Sequence, residues 1–565
     1  YVNAETGDDE THDGSEGSPF ATIKRAYDAI EPDGDEETTD GTIVLLSDVT
    51  LDKMLALGGH VEEETTVAKQ VVIQSDESLE EGEKYSIIRG ESNTDTMIQI
   101  TDGSSVTFKD LVIDGNNVEE VSSYAVYASG GTAVYENVDV TNHHVVGEGK
   151  SVIFAKNGGS KTIIKEGTKI YGNTISGRNE SNPTSILGAG SGGRLEIHGG
   201  QISDNTVNEG SNGVIIGVGL YKNPTFAMTG GRIENNTLNG NEFDDEGKTI
   251  GNVAVYMRGN ADQARFEFSG TAYVYNNKNA DVEQRNVFLN NVDYSGAAPI
   301  PKPTGYAFLY LVDHDGDGSA FADGAKVGVY ANIMPTFDDP IVDVAKGFEE
   351  YTAKETDLPY FVSDKASEAE IQFHEPVDED DEYKVILAPI PAELDHALLD
   401  QVSVDGKKIK LVFSDKVKLF DVEDATNGFR VTDGADNEID IKGIEVVFDP
   451  DSEGFGNVVI LELADVPEDK IHLEYDGESE NLKGQNGLSI ETFEFDYEFD
   501  FFVNLEITDP ADDVVDTPQP VVKGTVNENS TVEVVVLDPS SGEIVEEKIV
   551  TVIDDPESDI DVWEF

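Results

Sequence analysis

Four segments in the middle of the chain share one frame: apolar-x-x-x-Gly-x-x-apolar-x-x-Asn. They are Ile163, Gly167, Ile170, Asn173; Leu195, Gly199, Ile202, Asn205; Phe226, Gly230, Ile233, Asn236; and Phe266, Gly270, Tyr273, Asn276. Their glycines are offset by 32, 31 and 40 residues. Two earlier segments, Phe108, Leu111, Ile113, Gly115 and Tyr135, Val138, Val140, Asn142, match at an offset of 27. A period in this range belongs to a solenoid or an array, whose units bury their apolar faces only against one another.

The local pattern within each unit is that of a strand. Leu195 and Ile197, like Phe226 and Met228, alternate with other residues at period 2. Glycine breaks the strand, a second short strand follows, and asparagine closes the turn. One short helical stretch stands out, Thr22 to Ile30, with Ile23, Ala26, Tyr27 and Ile30 on one face. The expected architecture is all-β: a right-handed parallel β-helix over 1–300 with a short N-terminal capping helix. Asn173, Asn205, Asn236 and Asn276 occupy equivalent corners and are expected to stack as a hydrogen-bonded ladder, a structural role. The unequal offsets place loops of different length at one corner.

Proline clusters set the boundaries. Pro299, Pro301 and Pro303 close the repeats, and Pro389 and Pro391 open the next unit. Residues 301–388 read as terminal coils or a β cap. From 389 to 505 the pattern is antiparallel: Val402 and Val404 precede Asp405-Gly406, a hairpin signal, and Ile409, Leu411 and Phe413 follow. Phe493, Phe495, Tyr497 and Phe499 alternate with acidic residues. An Ig-like β-sandwich fits. Residues 506–565 read as a second such domain, apparently incomplete. Its missing strands are expected either beyond Phe565 or from another chain, and the former is favoured because open edges are a liability.

Charge narrows the partners. The 565 residues include 114 Asp and Glu against 38 Lys and Arg, a net charge of −76. Phosphate backbones need clustered cations, so nucleic acid is excluded as a partner, and an anionic membrane surface is disfavoured. With no cysteine there is no disulfide framework, thiolate zinc site or cysteine nucleophile. No stretch approaches the roughly 20 apolar residues of a membrane span. The opening Tyr1-Val2-Asn3 lacks an initiator Met, which points to a processed, exported form. The charge is uneven. Residues 151–300 hold 13 basic and 15 acidic side chains, a net of −2, which leaves −74 on the other 415 residues.

The residues also carry a resemblance. Tyr1-Val2, Gly7-Asp8, Asp13-Gly14 and Pro19-Phe20-Ala21-Thr22-Ile23 resemble the N-terminal cap of bacterial surface parallel β-helix proteins, as does Gly41-Thr42-Ile43-Val44-Leu45-Leu46. Met228-Thr229-Gly230-Gly231-Arg232-Ile233 and Asn235-Asn236-Thr237 look like the repeat of adhesin-like β-helix proteins of Gram-positive bacteria, and Asp323-Gly324-Ala325-Lys326-Val327-Gly328-Val329 is similar to their closing unit. Leu411-Val412-Phe413-Ser414-Asp415-Lys416-Val417 and Val522-Lys523-Gly524-Thr525-Val526 resemble bacterial Ig-like repeats. The resemblance implies fold and an extracellular, cell-surface location. It does not imply an activity, because β-helices host both inert stalks and polysaccharide-cleaving enzymes.

Asp313-His314-Asp315-Gly316-Asp317-Gly318 is the sharpest local motif. Its D-x-D-x-D-G spacing gathers three carboxylates about one turn, as calcium requires, but position 12 is Gly324 where a full loop has a bidentate Glu. Asp323 is a partial substitute, and an acidic hairpin is the plain alternative. A less specific calcium candidate is the joint at Asp509, Asp512, Asp513 and Asp516. His143-His144 could be a ligand pair, but neighbours on a strand point to opposite faces, which favours a structural role. A lyase would need Lys or Arg on a groove floor, drawn from Lys161, Lys165, Lys169, Arg178, Arg194, Arg232 and Arg258, and no local motif converges them with carboxylates. The reading is a non-enzymatic extracellular surface protein, structural or adhesive, that self-associates through 151–300 into a layer or filament or grips a surface glycan or protein. The alternative is a polysaccharide-binding or polysaccharide-cleaving β-helix enzyme, a lyase or glycosidase.

Overall fold

Period-2 alternation gives each short strand an apolar side that must be buried and a polar side that can face water. In the computed structural model, strands of this kind form a parallel β-solenoid of about nine turns. The structure describes the chain apart from residues 32–37, 63–64, 148, 178–183, 220–222, 241–252, 259–263, 291–306, 315, 317, 333–334, 336–340, 368, 377–380, 391–393, 401–407, 421–425, 448–454, 465–469, 480, 485–488, 499–505, 510–522, 528–531, 538–543, 551, 554–559 and 565. Two units, Tyr1–Ile390 and Pro391–Phe565, are each compact.

Each middle coil of the first unit contributes four strands. One coil runs Lys161–Ile164 on a first face, Lys169–Tyr171 on a second, Thr174–Ser176 at a corner and Thr184–Gly190 on a third. The next repeats this as Arg194–Ile197, Gln201–Ser203, Thr206–Val207 and Gly213–Val218. Every strand pairs in parallel with its counterpart one coil on. Leu195, Ile197, Phe226, Met228 and Phe268 are fully buried, and Phe266 nearly so. The rings interlock between coils, with Phe226 edge-on to Phe266 at 6.1 Å and to Phe268 at 5.7 Å.

The register differs from the sequence frame in two places. On the first face Leu195 pairs with Thr162, not Ile163, so Ile163 lies opposite Glu196 and faces outward, half-buried. On the second face Arg232 pairs with Tyr273, which sets Ile233 against Val274 rather than Tyr273. Phe226 pairs with Phe266, an offset of 40, whereas Ile233 and Val274 are 41 apart. The turn between these strands therefore holds one extra residue. Because side chains alternate, a one-residue shift exchanges inside for outside. The turn absorbs it, and Val274 is fully buried.

The stack continues past residue 300, through Leu309–Leu311, Lys326–Ala331 and Val342–Gly347. It then changes sense: Val342–Gly347 pairs antiparallel with Lys384–Pro389, which pairs antiparallel with Ala369–His374. Near the other end is a six-residue helix, Ile23–Asp28, within the stretch the sequence pattern marks. Thr22 Oγ1 caps it by accepting from Arg25 N at 3.2 Å. Ile23, Ala26 and Tyr27 join the solenoid core, and buried Lys69 donates to Tyr27 O at 2.9 Å.

The second unit is antiparallel. A five-stranded sheet holds Leu394–Asp400, Lys408–Leu419, Gly456–Leu463 and Ile441–Val447, with Leu482–Gly484 beside Lys408–Leu419. A three-stranded sheet holds Phe429–Asp433, Lys470–Tyr475 and Phe493–Glu498. Both feed one core, Leu411, Phe413 and Leu461 from the first and Val431, Leu473 and Tyr475 from the second. Asp405-Gly406 lies outside the described residues, and the strands flanking it pair antiparallel. Further on, Glu506–Asp509, Lys523–Asn527, Ile560–Glu564 and Val552–Ile553 form one sheet, and Val532–Leu537 pairs with Ile544–Val550.

The register makes unequal demands on two apolar residues of the repeat. Phe226→Ala should cost about 3–5 kcal/mol in urea unfolding, and the outward Ile163→Ala no more than about 1 kcal/mol. Equal losses would contradict the pairing of Thr162 with Leu195.

Candidate functional site

Between the second face and the corner strand each coil turns through a left-handed residue. Gly172, Asp204, Asn235 and Asn276 hold this position with φ of 64°, 54°, 56° and 62°. Glycine, asparagine and aspartate are the residues that tolerate it. The next residue in each coil is a buried asparagine: Asn173, Asn205, Asn236 and Asn277. Asn173 Nδ2 donates to Asn205 Oδ1 at 2.9 Å, Asn205 to Asn236 at 3.0 Å and Asn236 to Asn277 at 2.8 Å. Each Nδ2 also donates to a carbonyl one coil back, as Asn205 does to Ile170 O at 2.8 Å. Each Oδ1 additionally accepts the previous rung's backbone N–H. The buried amides are thereby satisfied.

Asn276, expected as the fourth rung, is not in the ladder. It occupies the left-handed turn position, partly exposed, where its Nδ2 bonds to Asn235 Oδ1. The extra residue in the preceding turn moves the rung to Asn277.

The ladder has distinct ends. His143 takes the rung before Asn173, with its backbone N–H on Asn173 Oδ1 at 3.0 Å and Nε2 donating to Ile113 O at 3.3 Å. Burial pushes its imidazole down to about 3, so it is neutral. His144 points the other way, toward Glu119 at 3.1 Å. At the far end Asn277 donates to Asn286, and Asn286 donates to Asp364 through N at 2.8 Å and Nδ2 at 2.7 Å. An ionised carboxylate only accepts, so Asp364 ends the chain of donors. Burial lifts its carboxyl to about 6, against the opposing pull of the Asn286 donors, Arg285 and Lys326.

The second face turns a different set of side chains outward. Lys169, Gln201, Arg232, Tyr273 and Lys326 are successive register neighbours. Two residues on in each coil lie Tyr171, Ser203, Glu234 and Tyr275. Glu234 binds Arg232 through two contacts, 2.6 and 2.9 Å, and accepts from Gln201 at 3.2 Å. The Arg232 guanidinium lies 3.5 Å from the centre of the Tyr273 ring, and Lys326 Nζ 3.5 Å from that of Tyr275. Tyr171 is 37% exposed. A shallow depression of about 380 Å³ follows the edge of this face, lined by Lys169, Gln201, Arg232 and Thr271 over Gly200 and Gly231. Those two glycines have φ near 80°, and a Cβ on either would stand 2.6 Å from a backbone oxygen of the coil before. Both lining positions therefore stay without a side chain.

The first face carries an ion-pair network. Arg194 binds Glu196 at 2.5 Å and reaches Glu267, two coils on, at 3.0 Å. It passes the register position of Ala227, which lies between the two acids. Arg265 also meets Glu267, at 3.5 Å. His198 bridges Glu196 at 3.0 Å and Thr229 at 2.8 Å. The His198 hydrogen bond, with Arg194, holds the Glu196 carboxyl down to about 2, which keeps it ionised and unable to donate a proton near neutral pH. Of the seven cations considered for a lyase floor, Lys161 and Arg194 lie on this face, Lys165 directly follows its strand, and Lys169 and Arg232 lie on the next. Arg258 belongs to a third-face strand, and Arg178 is outside the described residues. Their placement on separate faces does not build one floor.

Of the first calcium candidate, Asp313 and Asp323 are described, and Asp315 and Asp317 are not. Asp313 Oδ1 accepts from Gly318 N at 2.8 Å, and the Lys354 ammonium sits against Gly318 O. Tyr351 OH donates to buried Asp357 at 2.8 Å and accepts from Ala320 N at 3.0 Å, anchoring the loop's far side. Asp509 ends a strand opposite Lys523, and Asp512, Asp513 and Asp516 are outside the described residues. Among the described residues no three His, Asp or Glu group together as a metal site.

The ladder generates two predictions. Asn277→Ala should cost about 2–3 kcal/mol, since it leaves the buried Asn236 N–H unmet and removes one bond of Asn236 Nδ2, while Asn276→Gly should cost no more than about 0.5 kcal/mol. Thermal unfolding of the two variants checks this, and the reverse order would contradict the rung assignment. Asp364 generates the second. A carboxyl whose value is raised on folding contributes stability that is complete below its unfolded value of 3.8 and is lost as pH rises through about 6. The gain in melting temperature from pH 7 to pH 5 should therefore be smaller in Asp364→Asn than in the parent. No protein-family model, curated protein or solved structure matches this chain, so its functional reading rests on these residues.

Proposed function

We propose that this chain is a non-enzymatic extracellular cell-surface protein, structural or adhesive, that makes its contacts through the second face of the solenoid. The observation that carries the reading is the state of that face on a chain of net charge −76. Its tyrosines stand outward, and its central arginine is neutralised by Glu234. Two strongly acidic surfaces repel as they approach, so contact is favoured where the field is weakest. Residues 151–300, with a net of −2, include the Lys169, Gln201, Arg232 and Tyr273 positions of this face.

The finer parts of the reading follow the resemblance to adhesin-like surface proteins. The solenoid is right-handed, the helix Ile23–Asp28 closes its N-terminal end, and the antiparallel sheets of the second unit are Ig-like spacer modules. A rigid stack of coils suits presentation, because each contact residue is held by its own coil's core. Self-association into a layer or filament through the second face is one form of such contact, and capture of a surface glycan is another.

Negative-stain microscopy and sedimentation velocity, with and without calcium, test the assembly form. Ordered assemblies lost in a Lys169→Glu, Arg232→Glu variant are the expected outcome, and monomers under every condition would sink it. Release of unsaturated or shortened products from acidic polysaccharides would overturn the non-enzymatic part.

A further inference from the structure

We infer that the second face takes a neutral polysaccharide lying along the solenoid axis. The inference rests on the reading of that face as a contact surface and adds the chemistry of the ligand.

The first observation is the pairing of charge. Arg232 and Glu234 form a closed fork, and Gln201 is hydrogen-bonded to the same carboxylate. Such a pair projects little net field, yet its outer edges still offer N–H donors and carboxylate lone pairs side by side. Neighbouring hydroxyls of a sugar ring, each both donor and acceptor, complement that arrangement. A polyanion would gain little from the neutralised fork and, although Lys169 and Lys326 flank it, would be repelled by the acidic remainder of the chain.

The second observation is the aromatic content. Tyr171 is exposed, and Tyr273 and Tyr275 are part-buried on the outward side, each an amphipathic contact with few rotamers to freeze. Arg232 and Lys326 lie against two of these rings and hold them in place. The outward positions of the central strands here carry no aliphatic side chain: Lys169, Tyr171, Gln201, Arg232 and Glu234, with Ser203 buried between them. That composition lacks the apolar centre of a stable protein–protein patch.

The third observation is shape. The depression runs from the coil of Lys169 to that of Gly324, four coil steps or roughly 19 Å at the spacing of paired strands. Gly200 and Gly231 line it without side chains, because a Cβ on either would strike the coil before. A depression of that length accommodates a chain of sugars rather than one.

Affinity electrophoresis and titration calorimetry against a neutral glucan, a neutral mannan and polygalacturonate test the inference, with sedimentation velocity on the same samples. At least one neutral polysaccharide should retard the protein, with affinity nearly unchanged from low to high salt. Tyr171→Ala with Tyr275→Ala should weaken binding about tenfold, from two ring contacts, while the first-face variant Lys161→Ala should leave it unchanged. Melting temperatures near the parent's show that the tyrosine variant is folded. Salt-sensitive binding to polygalacturonate alone would overturn the neutral class and leave the contact surface standing. Neutral binding that survives the tyrosine variant would overturn the site. Self-association without polysaccharide binding, lost in the variant, would replace the glycan with a second copy of this chain. Neither binding nor association would remove both the inference and the reading beneath it.

Discussion

Every coil of the solenoid must meet the next in register, and the rest of the first unit depends on that constraint. A parallel strand hands its hydrogen bonds to the coil above and below, so an error in one coil would propagate along the stack. The apolar rings cannot enforce register alone, since a hydrophobic contact is tolerant of sliding. The asparagine ladder is not tolerant. Each rung offers one carbonyl oxygen to two donors of the rung before, and its own amide to the rung after. A rung out of place would leave buried donors unmet on both sides. His143 and Asp364 close the two ends with groups suited to their direction. One is neutral and bonds to a backbone carbonyl, and the other only accepts.

Charge is organised by the same repeat. Residues that share a column are one strand spacing apart, so like charges in a column repel and opposite charges pair. The first face resolves this with Arg194 spanning Glu196 and Glu267, and the second with Arg232 held on Glu234. Near-neutrality of the central coils is therefore a matter of pairing as well as of composition. The surplus carboxylates elsewhere repel one another, which salt screens beyond a Debye length of about 8 Å at physiological ionic strength.

Much of this was legible in the chain. The period, the alternating strands and the short helix follow from where apolar residues, glycine and asparagine recur. The missed rung had a signal of its own. Each rung is preceded by a residue that tolerates the left-handed turn: Gly172-Asn173, Asp204-Asn205, Asn235-Asn236. The same rule applied to Asn276-Asn277 selects the second residue of the pair. Aligning on glycine instead selected the first, because the turn before it holds one residue more. The ladder's continuation to Asn286 and Asp364 left no such trace. Those steps span 9 and 78 residues, where the others span 31 to 41.

The sequence by itself determined that this chain stacks coils of short strands, that asparagine lines one corner, and that its charge is concentrated outside the central repeats. Those properties depend on periodicity and composition, which are local. Only the tertiary structure decided which side chains share a column. Arg194 and Glu267 are 73 residues apart, and Lys169, Arg232 and Lys326 reach one face only after loops of unequal length have been spanned. A column is defined across coils, and one inserted residue in a turn changes which side chain enters it.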